Sequence, residues 1–154
     1  MGMALSLFCG LRGGHVTQID RIQERLEMSK RIAKTEHTIN SSVEDVDAVL
    51  NGKKFDVAID IVGFTDIIYE ASRHVKPGGK VGSMGVLRSN DLVVDTSRLQ
   101  NNTSLHMLNF PYGENAIQEE NIAQIEAWKE NPKHYYSHVK PNEKNEENVD
   151  LTLS

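Results

Sequence analysis

Phe55-Asp56-Val57-Ala58-Ile59-Asp60-Ile61-Val62, residues 55–62, is the stretch that decides the fold. It is a nearly unbroken apolar run rich in Val and Ile, the pattern expected of a parallel strand covered on both faces. Downstream, Ile67, Ile68, Ala71 and Val75 recur at helical spacing, Pro77-Gly78-Gly79 breaks that helix, and Lys80 to Val86 reads as the next strand. Upstream, His15 to Asp20 and His37 to Asn40 read as strands. Between them Ile22, Leu26, Ser29 and Ala33 share a helix face, and after them Val43, Val46, Val49 and Leu50 mark a short helix ended by Asn51-Gly52. Strands that alternate with helices imply an α/β fold with a mainly parallel sheet.

Toward the ends the alternation continues and then fades. Ala4, Leu7, Phe8 and Leu11 follow helical spacing from Gly2 until Gly13-Gly14, so the chain opens inside a helix. Ser104 to Phe110 reads as a further strand, and Ile122, Ile125 and Trp128 lie on one side of a helix closed by Asn131-Pro132. Beyond Pro141 the chain turns to Asn, Glu and Lys, which gives one folded domain over 1–140 and a weakly structured tail over 141–154. The 154 residues, 38% hydrophobic and 25% charged, suit a single domain. A net charge of −5 argues against nucleic acid as a partner. A lone Cys9 allows neither an internal disulfide nor a Cys-based metal site, and no apolar run is long enough for a membrane span. The expected address is the cytoplasm.

The chemistry lies at the start of the first helix and the end of the strand that follows. Gly2 opens a helix, where unpaired N–H groups face an anion and Gly lets a backbone approach. Asp20 closes the next strand about 20 residues on, the position from which a carboxylate accepts hydrogen bonds from ribose hydroxyls. A carboxylate there repels a ribose phosphate and favours NAD over NADP. Arg21 and Arg25 soften that preference, since an Arg accommodates the extra phosphate. Plainer readings stand beside these: Asp20 as an N-cap for the helix starting at Ile22, and Gly2 as a start-codon neighbour. His134 and His138 share a face but lack a third ligand, and Cys9 beside Phe8 reads as a small buried hydrophobe.

The ordered set Gly2-Met3-Ala4-Leu5-Ser6-Leu7, Ile19-Asp20-Arg21, Phe55 to Asp60, Val62-Gly63 and Val75-Lys76-Pro77-Gly78-Gly79-Lys80 resembles the coenzyme domain of zinc-type, medium-chain alcohol dehydrogenases over residues 1 to 140. The resemblance implies a Rossmann-like, doubly wound sheet that binds NAD. It matches Gly2 to the third glycine of the Gly-rich turn and Asp20 to the ribose-binding acid. Val62, Gly63, Gly85 and Phe110 fall where the family passes backbone or side chain close to the cofactor.

The same comparison implies that the family's first strand and first two glycines precede Met1. Without that central strand the sheet would split into two halves. The family's zinc ligands lie in a catalytic domain outside this sequence, so no catalytic residue and no metal ligand is carried over, and the cofactor site is expected to be partial and weak. The chain is expected to be a fragment of a larger dehydrogenase, non-catalytic by itself. A non-catalytic nucleotide-binding or interaction module is the alternative reading, and a methyltransferase-like domain, which the Lys76 to Gly79 turn would tolerate, is a third. Apolar Leu105, Met107, Leu108 and Phe110 at an expected sheet edge suggest a homodimer through strand 104–110. A plainer alternative covers that strand with the segment 87–99.

Overall fold

The structure, a computed structural model, describes residues 1–85, 90–107, 119, 122 and 123. The elements run α1 (Gly2–Leu11), β1 (Thr17–Asp20), α2 (Gln23–Ile32), β2 (His37–Asn40), α3 (Val46–Leu50), β3 (Phe55–Asp60), α4 (Thr65–Arg73), β4 (Val75–Ser83), a single 3-10 turn (Thr96–Arg98) and β5 (Ser104–Met107). All strand pairs are parallel, and they form two sheets: β1 with β2, and β3-β4-β5. The described residues therefore form an α/β, Rossmann-like fold in which the expected split into two half-sheets is present, β1-β2 and β3-β4-β5.

Each half has its own core. In the first, Leu7 of α1, Leu26 and Ile32 of α2 and Ile39 of β2 are buried. Ser29 is buried as well, and its hydroxyl meets both Gln18 Oε1 and Thr35 Oγ1 at 2.5 and 2.6 Å, so the polar atoms enclosed by α2 are paired. In the second half Ile68, Val75 and Val81 form the centre, with Ala58, Ala71, Val94, Leu99 and Leu105 packed around it. The chain after β4 is fastened along α4. Asp91 takes Thr65 N and Oγ1, Tyr69 Oη accepts from Asp95 N, Arg98 lies over the Tyr69 ring and bonds Asp66, and Gln100 N donates to Ser72 Oγ.

Several expectations need correction. β3 is not covered on both faces: Asp56 is exposed and Val57 is 52% exposed, whereas Ala58, pointing the other way from Val57, packs against the Ile68 cluster. Val75 belongs to β4 and not to the stripe of α4, which ends at Arg73 before any proline or glycine is reached. Pro77-Gly78-Gly79 is an insertion inside β4. Phe55 faces Val75 but Val57 faces Lys80, so Lys76 to Gly79 loop out of register, with Gly78 at φ +79°. Val43 precedes α3 and Val49 is half exposed, leaving Leu50 as the buried residue of α3. On α1, Leu11 is exposed and Ser6 is buried in its stead.

The segment 91–99 packs on α4 and on the Ile68 cluster, and Leu105 reaches the same cluster from β5. The residues Val86, Leu108 to Phe110, Ile125, Trp128, His134, His138 and the tail 141–154 lie outside the described residues.

Candidate functional site

The carboxyl ends of β1, β2 and β3 repeat one local device. Each strand closes on a short polar side chain that accepts the backbone N–H two residues on: Asp20 Oδ1 from Ile22 N at 3.0 Å, Asn40 Oδ1 from Ser42 N at 3.1 Å and Asp60 Oδ1 from Val62 N at 2.8 Å. Asp and Asn do this because their side-chain oxygen reaches the position a turn carbonyl would occupy. The bond bends the chain out of the strand. In parallel sheets the ends so shaped are where ligands bind.

Asp20 is half-buried, and Oδ1 is held by Ile22 N. Ile22, not Asp20, is the N-cap of α2, so the plain capping reading becomes a turn that presents the carboxylate at the strand end. Among the described residues, Oδ2 makes no hydrogen bond. Arg21 and Arg25 are exposed just beyond it, and the Arg21 carbonyl accepts from Ser42 Oγ, which ties the turn after β1 to the turn after β2.

Gly2 is the first residue of α1. The N-cap Met1 makes no side-chain capping bond and no acid stands in the first turn. The N–H groups at residues 2–4 precede any intrahelical acceptor, and the first helical bond runs from Leu5 N to Met1 O. A Cβ at Gly2 would lie 2.6 Å from Ile61 Cδ1. The N-terminus of α1 therefore sits directly beside the residue that follows β3.

After β3, Asp60 is 2% exposed and fully occupied. Besides Val62 N it takes Gly63 N at 3.2 and 3.3 Å and the Ser83 hydroxyl at 2.9 Å. Gly63 is buried with φ +88°, a conformation that favours Gly. Gly85 is buried against it: a Cβ there would lie 2.1 Å from Gly63 N and 2.4 Å from Gly63 Cα. Gly85 is thus required first by its contact with Gly63, and Gly63 by its own backbone conformation, whatever else they touch. Val62 is exposed beside them.

The N-terminus of α4 differs from that of α1. Thr65 N and Oγ1 donate to Asp91 at 2.8 and 2.6 Å, and these bonds hold the Asp91 carboxyl below its ordinary range. An anion-binding helix end is filled there from within the chain. α2 also lacks a side-chain cap at its N-cap residue but carries Glu24 in its first turn; of the described helices at this edge, α1 is the one with neither a side-chain cap nor an acid in its first turn.

The sequence-identified Gly2, Asp20, Val62, Gly63 and Gly85 all stand at or just past the carboxyl ends of the parallel strands, while Phe110 lies outside the described residues. Sequence reasoning missed Asp60 and Asp91. A charged residue closing an apolar strand was a usable signal for Asp60; Asp91 contacts a residue 26 positions away and had none.

Comparison with known proteins bears on the family and the fold. The family model described as zinc-binding dehydrogenase matches residues 1–127. A short chain alcohol dehydrogenase from E. coli CFT073, solved with NADH, superposes with a TM-score of 0.71 at 20% identity, over 86% of this chain and 39% of that one. The 2R,3R-butanediol dehydrogenase of Bacillus subtilis gives 0.69 at 11%, over 86% and 38%. The benzyl alcohol dehydrogenase of Acinetobacter calcoaceticus gives 0.61 at 18%, over 81% and 38%. No curated protein sequence matches. The chain thus spans about two fifths of the length of these solved relatives and shares their fold. The chain belongs to the zinc-binding dehydrogenase family.

Proposed function

We propose that this chain binds NAD(H) at the carboxyl edge of its strands, as the cofactor-holding part of an alcohol or polyol dehydrogenase. The observation that carries the reading is the pairing of an uncapped α1 N-terminus beside Ile61 with a half-buried strand-end carboxylate at Asp20. The N–H groups of α1 would take the pyrophosphate and Asp20 Oδ2 the ribose hydroxyls. Asp20 disfavours a ribose phosphate, and Arg21 and Arg25 reduce that bias without reversing it. When bound, the cofactor supplies the hydride acceptor. Val62, Gly63 and Gly85 form the wall along which its second half would run, and the family resemblance gives Phe110 a place close to the cofactor.

Zinc is a different matter. Among the described residues no three His, Cys, Asp or Glu side chains converge, so they do not fit the ion, and no step is assigned to it here. In this reading the chain by itself binds without turnover, at a cytoplasmic address.

A fluorescence titration with NADH, NADPH and S-adenosylmethionine tests the reading. NADH is expected to bind weakly and ahead of NADPH, and Asp20→Ala should weaken it about tenfold, the equivalent of one charge-assisted hydrogen bond. Tight NADPH binding, saturation by S-adenosylmethionine alone, or an unchanged NADH affinity in Asp20→Ala would each overturn it.

A second reading concerns assembly. Among the described strands β5 is the outer one of its sheet, with Met107 37% exposed and no proline or lysine within Ser104–Met107 to block pairing. Two copies joined edge to edge through this strand would form a continuous sheet and an isologous dimer. Light scattering at tens of micromolar should give a dimer mass that Met107→Lys reduces to a monomer; a monodisperse wild-type monomer sinks the idea.

A further inference from the structure

Asp60 is a buried carboxylate that none of the roles above uses. It lies at the end of β3, 2% exposed, and all of its bonds come from donors on its own turn or on β4. A carboxylate is costly to bury unless its lone pairs are filled, and here four hydrogen-bond contacts fill them, to Val62 N, twice to Gly63 N and to Ser83 Oγ. Its backbone carbonyl is used too, by Met84 N at 2.8 Å. Through these bonds Asp60 couples the turn after β3 to the end of β4, and two residues beyond Ser83 the chain reaches Gly85, pressed on Gly63 without room for a Cβ. Ile61, the residue between the carboxylate and its first acceptor bond, is the one in contact with the start of α1 at Gly2.

We infer that Asp60 is a positioning residue: it fixes the Ile61-Val62-Gly63 turn, and so sets the wall that meets the α1 N-terminus across the proposed dinucleotide site. This rests on the dinucleotide reading for its ligand, but not for the geometry of the turn. Asn at this position keeps one oxygen for the Val62 and Gly63 amides and turns its NH2 toward the Ser83 hydroxyl, which can accept. Ala keeps neither.

The test measures three quantities on the whole chain: melting temperature, NADH affinity by fluorescence, and amide hydrogen exchange at Val62 and Gly63. Asp60→Ala, Asp60→Asn and a control, Ser72→Ala, are compared with wild type. Ser72 is equally buried and hydrogen-bonded, to Tyr69 O and Gln100 N, but away from the turn. Both alanine variants should lower the melting temperature. Only Asp60→Ala should speed exchange at Val62 and Gly63 and weaken NADH about tenfold, while Asp60→Asn recovers affinity to within about threefold of wild type. Should Asp60→Ala fail to fold, Asp60→Ser, which keeps an acceptor on a shorter arm, is measured in its place with the same expected direction. Asp60→Ala with normal exchange at the turn overturns the positioning role even where NADH binds. Faster exchange with unchanged NADH affinity overturns its effect on the ligand. A wild-type chain with no saturable NADH signal instead overturns the dinucleotide reading, and the exchange arm then decides the role of Asp60 in the turn alone.

Discussion

Asp20 and Asp60 stand at equivalent places in the two halves of the molecule, each at the end of a strand and each bent over to accept the N–H of the residue two further on. The halves then diverge. After Asp20 the chain enters α2 within three residues, and one carboxylate oxygen makes no bond among the described residues. After Asp60 it takes a longer path through Gly63, and both oxygens are consumed by the protein itself. The same residue type, in the same local turn, is thus satisfied by the fold on one oxygen in one half and on both in the other. What separates the two cases is the number of donors the surrounding fold aims at it. The helix ends repeat the contrast, because α4 has its N-terminus occupied by Asp91 whereas α1 has no side-chain cap.

Whether the two halves fold as one unit is tested, with the largest effect, in the core of the three-stranded half. Ile68 is completely buried at the centre of that half, so Ile68→Ala should cost about 2–5 kcal/mol. Amide exchange should rise across β3, β4 and β5 while β1 and β2 keep their protection; uniform loss over both halves would show that the two fold as a single unit.

A pair of glycine substitutions gives a smaller effect and sharpens the contrast at the site. Gly85→Ala would place a methyl 2.1 Å from backbone of Gly63, which cannot rotate away, and should cost at the upper end of about 1–3 kcal/mol. Gly2→Ala would meet only the end of the Ile61 side chain at 2.6 Å, which a rotamer change relieves for roughly 0.5–1.5 kcal/mol. Urea midpoints for the two variants should fall in that order. The reverse order would mean that the α1 start, and not the Gly63-Gly85 contact, is the tight point of the wall.

The smallest effect concerns acid. The hydrogen bonds from Thr65 lower the Asp91 carboxyl relative to the ordinary 3.8, so its bond to α4 adds stability above that value, and the contribution is lost as pH falls through the lowered folded value. Asp56, bonded to Lys76 across the β4 insertion, is lowered in the same sense. Asp91→Asn should therefore flatten the dependence of stability on pH below about 4, measured by denaturation at stepped acidity. An identical slope in Asp91→Asn and wild type would remove the helix cap from the account.

Local signals made much of this legible in advance. The Val- and Ile-rich run at 55–62, the turn residues and the helical spacing of Leu26 and Ser29 each depend on neighbours a few positions away, so periodicity alone placed β3, α2 and β2 and the α/β alternation. Asp20 was legible for the same reason, as an acid at a strand end at a set distance from a helix-opening glycine. Where contacts are long-range, the residues themselves were silent. Val75 reads as helix by spacing, yet pairing with Phe55 draws it into β4, and the Pro77 to Gly79 turn became an insertion because β3 holds the strand on either side of it. The exposure of Val57, the bond from Thr65 to Asp91 and the pressing of Gly85 on Gly63 follow from which strands and loops come together across 20 or more residues. A sequence carries the propensity of each segment. Only the assembled sheet decides which edges are paired, and therefore which carboxylate the fold fills on both oxygens and which it fills on one.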